Sequence, residues 1–130
     1  MATTFIKIAS VTVTSGGISS IDFTNIPQTY TDLCIKASTR SVRTTGYADM
    51  IIRFNSSSTT YTNRRLYGAG TGNPSVGTNT SEHTNSDSDA ATASVYGISD
   101  FYIYNYTDSN KKSWIVDSTM ENKDRKSTRL

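Results

Sequence analysis

Leucine and glutamate are nearly missing from this chain, with three Leu and two Glu in 130 residues. Both are good helix formers, and their scarcity leaves little from which an ordinary helix can be built. Cysteine occurs once, as Cys34, and histidine once, as His83. A single thiol excludes an internal disulfide and with it the stapled secreted mini-domains. One His in a polar stretch without a Cys beside it excludes a zinc site of ordinary composition and a Cys-His catalytic pair, and no cofactor is expected. Cys34 lies between Leu33 and Ile35 and is expected to act as a small buried hydrophobe. Long apolar runs are also lacking: none approaches the roughly 20 residues that carry a helix across a bilayer. The N-terminus has no charged region followed by an apolar stretch, so neither a membrane span nor a secretory leader is expected.

Charge of one sign is scarce once its location is considered. The formal net charge is +2. The last seven residues, Asp124-Arg125-Lys126-Ser127-Thr128-Arg129-Leu130, hold three basic groups and one acid and account for all of it. Residues 1–123 contain ten Lys or Arg against ten Asp or Glu and are neutral. The heptapeptide reads, codon for codon, like the in-frame translation of a sequencing-library adapter. It is therefore expected to be a non-native tail, leaving residues 1–123 as a single domain interrupted before its last strands. Without the tail nothing in the charge points to nucleic acid.

What the chain does contain is hydroxyl and β-branched residues. Thr and Ser number 21 and 19, Ile and Val 11 and six, and eight Tyr accompany four Phe. This mixture suits pleated, half-buried surfaces and predicts an all-β domain. Strand patterns run over residues 4–14 and 18–23, with Ser15-Gly16-Gly17 as the turn between them. Asn25-Ile26-Pro27 ends the second, because proline lacks a donor and biases Ile26 away from helix. Residues 31–40 alternate, with Leu33, Ile35 and Ala37 inward and Asp32, Lys36 and Ser38 outward. Residues 47–55 put Met50, Ile52 and Phe54 on one face, and residues 59–68 return as a strand of uncertain register. Residues 68–93 hold almost nothing apolar and predict a long surface loop. Residues 95–106 and 111–120 complete the pattern, with Phe101 and Ile103 on one side of the first and Trp114, Val116 and Ser118 on one side of the second. Short antiparallel strands with a proline-marked crossover predict a two-layer antiparallel β-sandwich of jelly-roll type, lacking its last strands through C-terminal truncation.

Reaction centres are not visible. Gly68-Ala69-Gly70-Thr71-Gly72 is glycine-rich but is followed neither by Lys-Ser/Thr nor by a helical pattern, so it is no P-loop. Asp87 and Asp89 have the spacing of two oxygen ligands from one loop, but no third carboxylate joins them, and they read as solvated acids rather than a metal site. Arg64 and Arg65 with Tyr67 form a basic, aromatic stretch of the kind that stacks on bases or sugars. Together with Asn79, Glu82, His83, Asp87 and Asp89 they are the candidate surface or receptor contacts. Tyr67, Tyr102, Tyr104, Tyr106 and Trp114 offer stacking faces for the alternative function, a carbohydrate-binding β-sandwich module of a bacterial secreted protein.

Three segments carry a resemblance: residues 5–13 (FIKIASVTV), residues 20–33 (SIDFTNIPQTYTDL), and Ile52-Arg53-Phe54-Asn55 followed by Tyr61. They resemble virion structural proteins of tailed bacteriophages, notably marine ones, over most of residues 4–120. The most specific piece is Phe23-x-x-Ile26-Pro27-x-x-Tyr30-x-Asp32-Leu33. Phe23 closes a strand, Pro27 breaks it, Tyr30 anchors the crossover and Asp32 caps the chain before Leu33 enters the next strand. The resemblance implies a non-enzymatic β-sandwich component of a tail fibre, baseplate appendage or capsid-surface fibre. It further implies assembly in the host cytoplasm into the virion, as a homo-oligomer, with a trimer expected, beside other virion proteins and with a host-surface glycan as possible ligand. Family members end with further strands and a Leu-Tyr-Gly-Ile-like terminus that this sequence lacks. The resemblance lies in structural residues and transfers no catalytic or ligand position.

Overall fold

The structure, a computed structural model, describes residues 5–44, 47–55, 57, 62–67, 75–79, 83–122 and 125–126. Among them the chain is all-β with antiparallel sheets and no helix. In chain order the strands are β1 (Leu33–Thr39), β2 (Tyr47–Ile51), β3 (Asn63–Tyr67), β4 (Ser75–Asn79), β5 (His83–Asp87), β6 (Gly97–Tyr104), β7 (Ser113–Thr119), β8 (Glu121–Asn122) and β9 (Arg125–Lys126). The main sheet has the order β1-β6-β7, and β2 pairs with β5, β3 with β4, and β8 with β9.

Period-two patterning decides which face of the main sheet is buried. In β6 Gly97, Ser99, Phe101 and Ile103 are buried while Ile98 and Tyr104 are exposed. In β1 Leu33, Ile35, Ala37 and Thr39 are half-buried, and in β7 Trp114, Val116 and Ser118 follow suit. Register aligns them in rows: Leu33, Ile103 and Trp114; then Ile35, Phe101 and Val116; then Ala37, Ser99 and Ser118; and finally Thr39 opposite Gly97. The first two rows are apolar, with the Phe101 and Trp114 rings 6.1 Å apart at a 32° tilt. Ile103 and Phe101, at 1% and 3% exposure, are the most buried large apolar side chains described.

Hydroxyls take over in the third row, and there β5 packs across β6 and β7. Thr84, Ser86 and Ser88 are buried. Thr39 donates its hydroxyl to Ser86 Oγ at 2.9 Å, and Thr84 donates to Ser118 Oγ at 2.6 Å. A hydroxyl buried in this way exchanges a water partner for a protein partner, at a net gain of about 0.5–1.5 kcal/mol per bond. Gly97 makes the close approach possible: a Cβ there would stand 3.0 Å from the Asp87 backbone nitrogen and 3.4 Å from the Ser86 Cα and the Thr119 carbonyl.

Four expectations are corrected. The segment 68–93 is not one long loop, since β4 and β5 both form within it. A search for apolar alternation misses β5 because its inward residues, Thr84 and Ser86, are hydroxyls paired with Ser118 and Thr39 on other strands. Cys34 is exposed rather than buried. It occupies the opposite parity to Leu33 and Ile35 and faces outward with Lys36 and Ser38, so the alternation of β1 outweighs the side chain's own preference. The strand expected to reach residue 55 ends at Ile51, although the alternation continues, with Ile52 and Phe54 half-buried and Arg53 exposed.

The fourth correction concerns residues 5–25. No strand forms there, and every one of these residues is exposed. The expected turn is present: Gly17 N–H donates to the Thr14 carbonyl at 3.3 Å, and Gly16 and Gly17 have φ of 103° and 68°. The two legs on either side find no ladder, because a strand needs a neighbour as well as a pattern. Residues 68–74, 80–82 and most of the C-terminal heptapeptide lie outside the described residues. Within that heptapeptide Arg125 and Lys126 form β9 opposite Asn122 and Glu121.

Candidate functional site

The candidate contact residues fall into two groups. Arg64, Arg65 and Tyr67 lie on β3, in register with Thr78, Gly77 and Ser75 of β4. Asn79 ends β4 opposite Asn63, so one antiparallel hairpin carries four of the candidates. His83 opens β5 opposite Ile51, and Asp87 closes it opposite Tyr47. Glu82 lies outside the described residues.

Asp87 and Asp89 belong to a junction built around Arg40, the last residue of the alternating stretch 31–40. Arg40 forms a parallel bridge with Asp87 just beyond β1. Ser41 N–H donates to the Asp87 carbonyl at 2.7 Å, and Asp89 N–H donates to the Arg43 carbonyl at 2.7 Å, so residues 40–43 run beside residues 87–89. From this position the Arg40 guanidinium donates to four backbone carbonyls. Nη1 reaches Thr92 at 2.8 Å and Val95 at 2.9 Å, and Nη2 reaches Ala91 at 3.1 Å and Asp89 at 3.3 Å. The Asp89 carboxylate adds an ion pair at 3.6 Å. A planar guanidinium with five donors suits this clasp, which holds residues 89–95 against the end of β1. Ser94, inside the clasped segment, has φ of 65°, a conformation that a non-glycine residue adopts only when its surroundings impose it.

Asp89 is exposed. Asp87 is not: it is 1% exposed, and neither carboxylate oxygen has a hydrogen-bond partner among the described residues. Its reading as a solvated loop acid is therefore corrected. Closing β5 against Gly97 carries it out of water. Burial pushes its pKa above the ordinary 3.8; the nearby Glu121 N–H, which falls short of hydrogen-bond geometry, and the Arg40 charge offset part of that effect, while the Glu121 carboxylate adds to it.

The crossover motif forms a second joint. The Asp32 carboxylate accepts from Tyr102 O–H and from Asn105 N–H, each at 2.9 Å. Tyr106 donates its hydroxyl to the Pro27 carbonyl and its backbone N–H to the Thr31 carbonyl, the latter at 3.1 Å. Residues 27–32 are thus tied to the β6 end and the turn after it, where Asn105 has φ of 46° and accepts the Asp108 N–H at 3.1 Å. Tyr30 is half-buried.

The aromatic side chains considered for stacking divide in the same way. Trp114 leans on Phe101, Tyr106 is held by Pro27, and Tyr102 is held by Asp32, while Tyr104 stays exposed with its ring 4.8 Å from that of Tyr102. The outward face of the main sheet also bears the row Lys36, Asp100 and Asp117, in which Lys36 Nζ meets Asp100 Oδ2 at 2.7 Å. Lys36 and Asp100 side chains are 72% and 45% exposed, so the pair contributes little to stability. No protein-family model, curated protein or solved structure matches the chain.

Proposed function

We propose that this chain is a non-enzymatic virion structural protein of a tailed bacteriophage, a fibre or appendage component. In this reading the antiparallel sheets belong to a jelly-roll-type sandwich. Copies assemble with one another, as a trimer, and with other virion proteins in the host cytoplasm. The β3-β4 hairpin, carrying Arg64, Arg65, Tyr67 and Asn79, is the surface offered to a host glycan.

The observation that carries the reading is the work done by the most specific resembling motif. Pro27 and Asp32 are bound to Tyr106, Tyr102 and Asn105, so the motif serves as a joint between the crossover and the main sheet. A motif whose residues are spent on architecture suits a structural family. The test is quantitative mass spectrometry of gradient-purified particles against cleared lysate. Enrichment of its peptides with capsid and tail proteins is the expected result, and detection in lysate alone overturns it.

The second reading, a carbohydrate-binding module, draws on the exposed Tyr104 ring beside Tyr102. A glycan array separates the two: tight binding of a sugar by single copies favours the module, and assembly without sugar binding favours the structural role.

A further inference from the structure

Residues 5–25 bring together three features that a lone chain does not reconcile. All 21 are exposed, and eight of them are large and apolar: Phe5 at 66%, Ile6 57%, Ile8 41%, Val11 49%, Val13 42%, Ile18 57%, Ile21 42% and Phe23 41%. Single exposed apolar residues are ordinary on a monomer, but a contiguous set of this size marks an interaction surface. Holding a segment in one arrangement costs about 1–2 kcal/mol per residue, and no residue of this segment is buried in return. Its root is nonetheless fixed, because residues 27–32 are bound to Tyr102, Asn105 and Tyr106, and Asn25, with φ of 54°, turns the chain away at that point. The arm is thus anchored at one end of the main sheet and unburied beyond it.

The same molecule carries a surface to receive it. The outward face of β1-β6-β7 exposes Ile98 at 55%, Ile115 at 58% and Tyr104 at 44%, with Cys34 in the row of Ile115 and the charged row Lys36, Asp100 and Asp117 between Ile98 and Ile115. The order β1-β6-β7 leaves β1 and β7 as the edges of that sheet, where an added segment can find backbone partners.

We propose that residues 5–25 are an exchange arm that lies on the outward face of the β1-β6-β7 sheet of a second copy of this chain. The area supports this occupant. With roughly 150–200 Å² for the full surface of a large apolar residue, the eight side chains expose about 700 Å², close to the roughly 800 Å² per partner of a stable interface. Because each copy gives one arm and receives one, around a ring of three copies as in a reciprocal pair, the area each copy buries is doubled. The interface rests on the self-assembly part of the proposed function and names its surfaces, but it does not depend on the particle being a virion.

Sedimentation equilibrium on the full chain, with two pairs of substitutions, tests it. Phe5→Ser with Ile8→Ser disables the arm, and Ile98→Thr with Ile115→Thr disables the face. All four residues are exposed, and urea unfolding of each variant verifies that the monomer still folds. The wild-type chain is expected at no less than twice its 14.2 kDa. Each pair is expected to weaken association by roughly 100-fold or more, because two large apolar contacts are lost at every arm–face junction. Mixing the two variants is expected to restore association in part, since a mixed pair regains one of its two junctions, with an intact arm from one variant on the intact face of the other. A monomeric wild type, an open-ended aggregate that neither pair disperses, or a mixture that associates no more strongly than either variant alone overturns the proposal. Particle proteomics judges the virion reading separately, so failure of either is distinguishable from failure of the other.

Discussion

Gly97 lies so close to Asp87 that a Cβ on the glycine would stand 3.0 Å from the aspartate's backbone nitrogen. The contact sets the distance between β6 and β5, and with it the burial of Thr84, Ser86 and Asp87. The neighbour is backbone in a paired strand, and it cannot swing aside as a long side chain does. Gly97 has no left-handed backbone conformation to protect, so the requirement is steric. Gly97→Ala is therefore expected to destabilise the fold by about 1–3 kcal/mol, against the usual slight gain from removing a glycine inside a strand. Urea unfolding checks it, and an unchanged or raised midpoint counts against the close packing of β5 on β6.

Asp87 itself imposes a pH dependence. Burial raises its folded pKa above the unfolded 3.8, so the folded chain holds the proton more tightly than the unfolded chain does. Stability then falls as pH rises from 3.8 to the folded value, and it stays at the lower level above that value. Asp87→Asn keeps the shape, removes the charge and is expected to raise stability at pH 7 while abolishing this slope. Asp108 acts in the opposite sense: hydrogen bonds from the backbone and side chain of Asn110 hold its pKa below 3.8, and its contribution is lost only at more acidic pH. Unfolding free energies of both proteins between pH 4 and 8 decide the matter; a slope that persists unchanged in the variant rules out Asp87 as its source.

Arg40 holds residues 89–95 through four carbonyls, and lysine cannot reproduce that fork. Arg40→Lys is expected to cost about 1–3 kcal/mol, as two or more charge-assisted bonds are lost. The loss is local as well as global. Ala91 and Val95 N–H groups, bonded within the clasped segment to Ser88 and Thr92 at 3.1 Å each, should exchange with solvent faster relative to the β6 amides. Uniform acceleration of both sets would show that Arg40 serves general stability and not this clasp.

Tyr102 reports on the crossover joint. Its hydrogen bond to Asp32, with burial and the Asp32 charge adding to the effect, raises its pKa above the ordinary 10.0. Asp32→Ala is expected to bring the phenol back down and to free the Asn105 N–H. A carbon-detected NMR titration of the tyrosine rings reads both states. A Tyr102 titration that does not move in the variant would mean that Asp32 does not hold it in solution.

The resembling motif was legible as a joint before β1, but its partners were not: Asp32, expected to cap the chain entering β1, accepts instead from Tyr102 O–H and Asn105 N–H, 70 and 73 residues on. The edges of the site were less legible. Arg40 carries no signal of its own in a Ser- and Thr-rich context, and its four acceptors are backbone carbonyls fifty residues distant, which no side-chain pattern announces. Asp87 looked like a solvated acid because its neighbours are hydroxyls, and composition counts hydroxyls as surface.

The sequence by itself determined the all-β class, the inward parity of β1 and the division of β6 and β7 into two faces. Scarce helix formers and strict alternation are properties of the chain alone. Tertiary structure decided which patterned segments became strands. Residues 5–14 and 18–23 also carry strand patterns yet pair with no strand among the described residues, whereas the polar β5 finds β2 along its ladder and matching hydroxyls across its face. A strand's stability lies in its neighbours, and pattern shows only which side would face them.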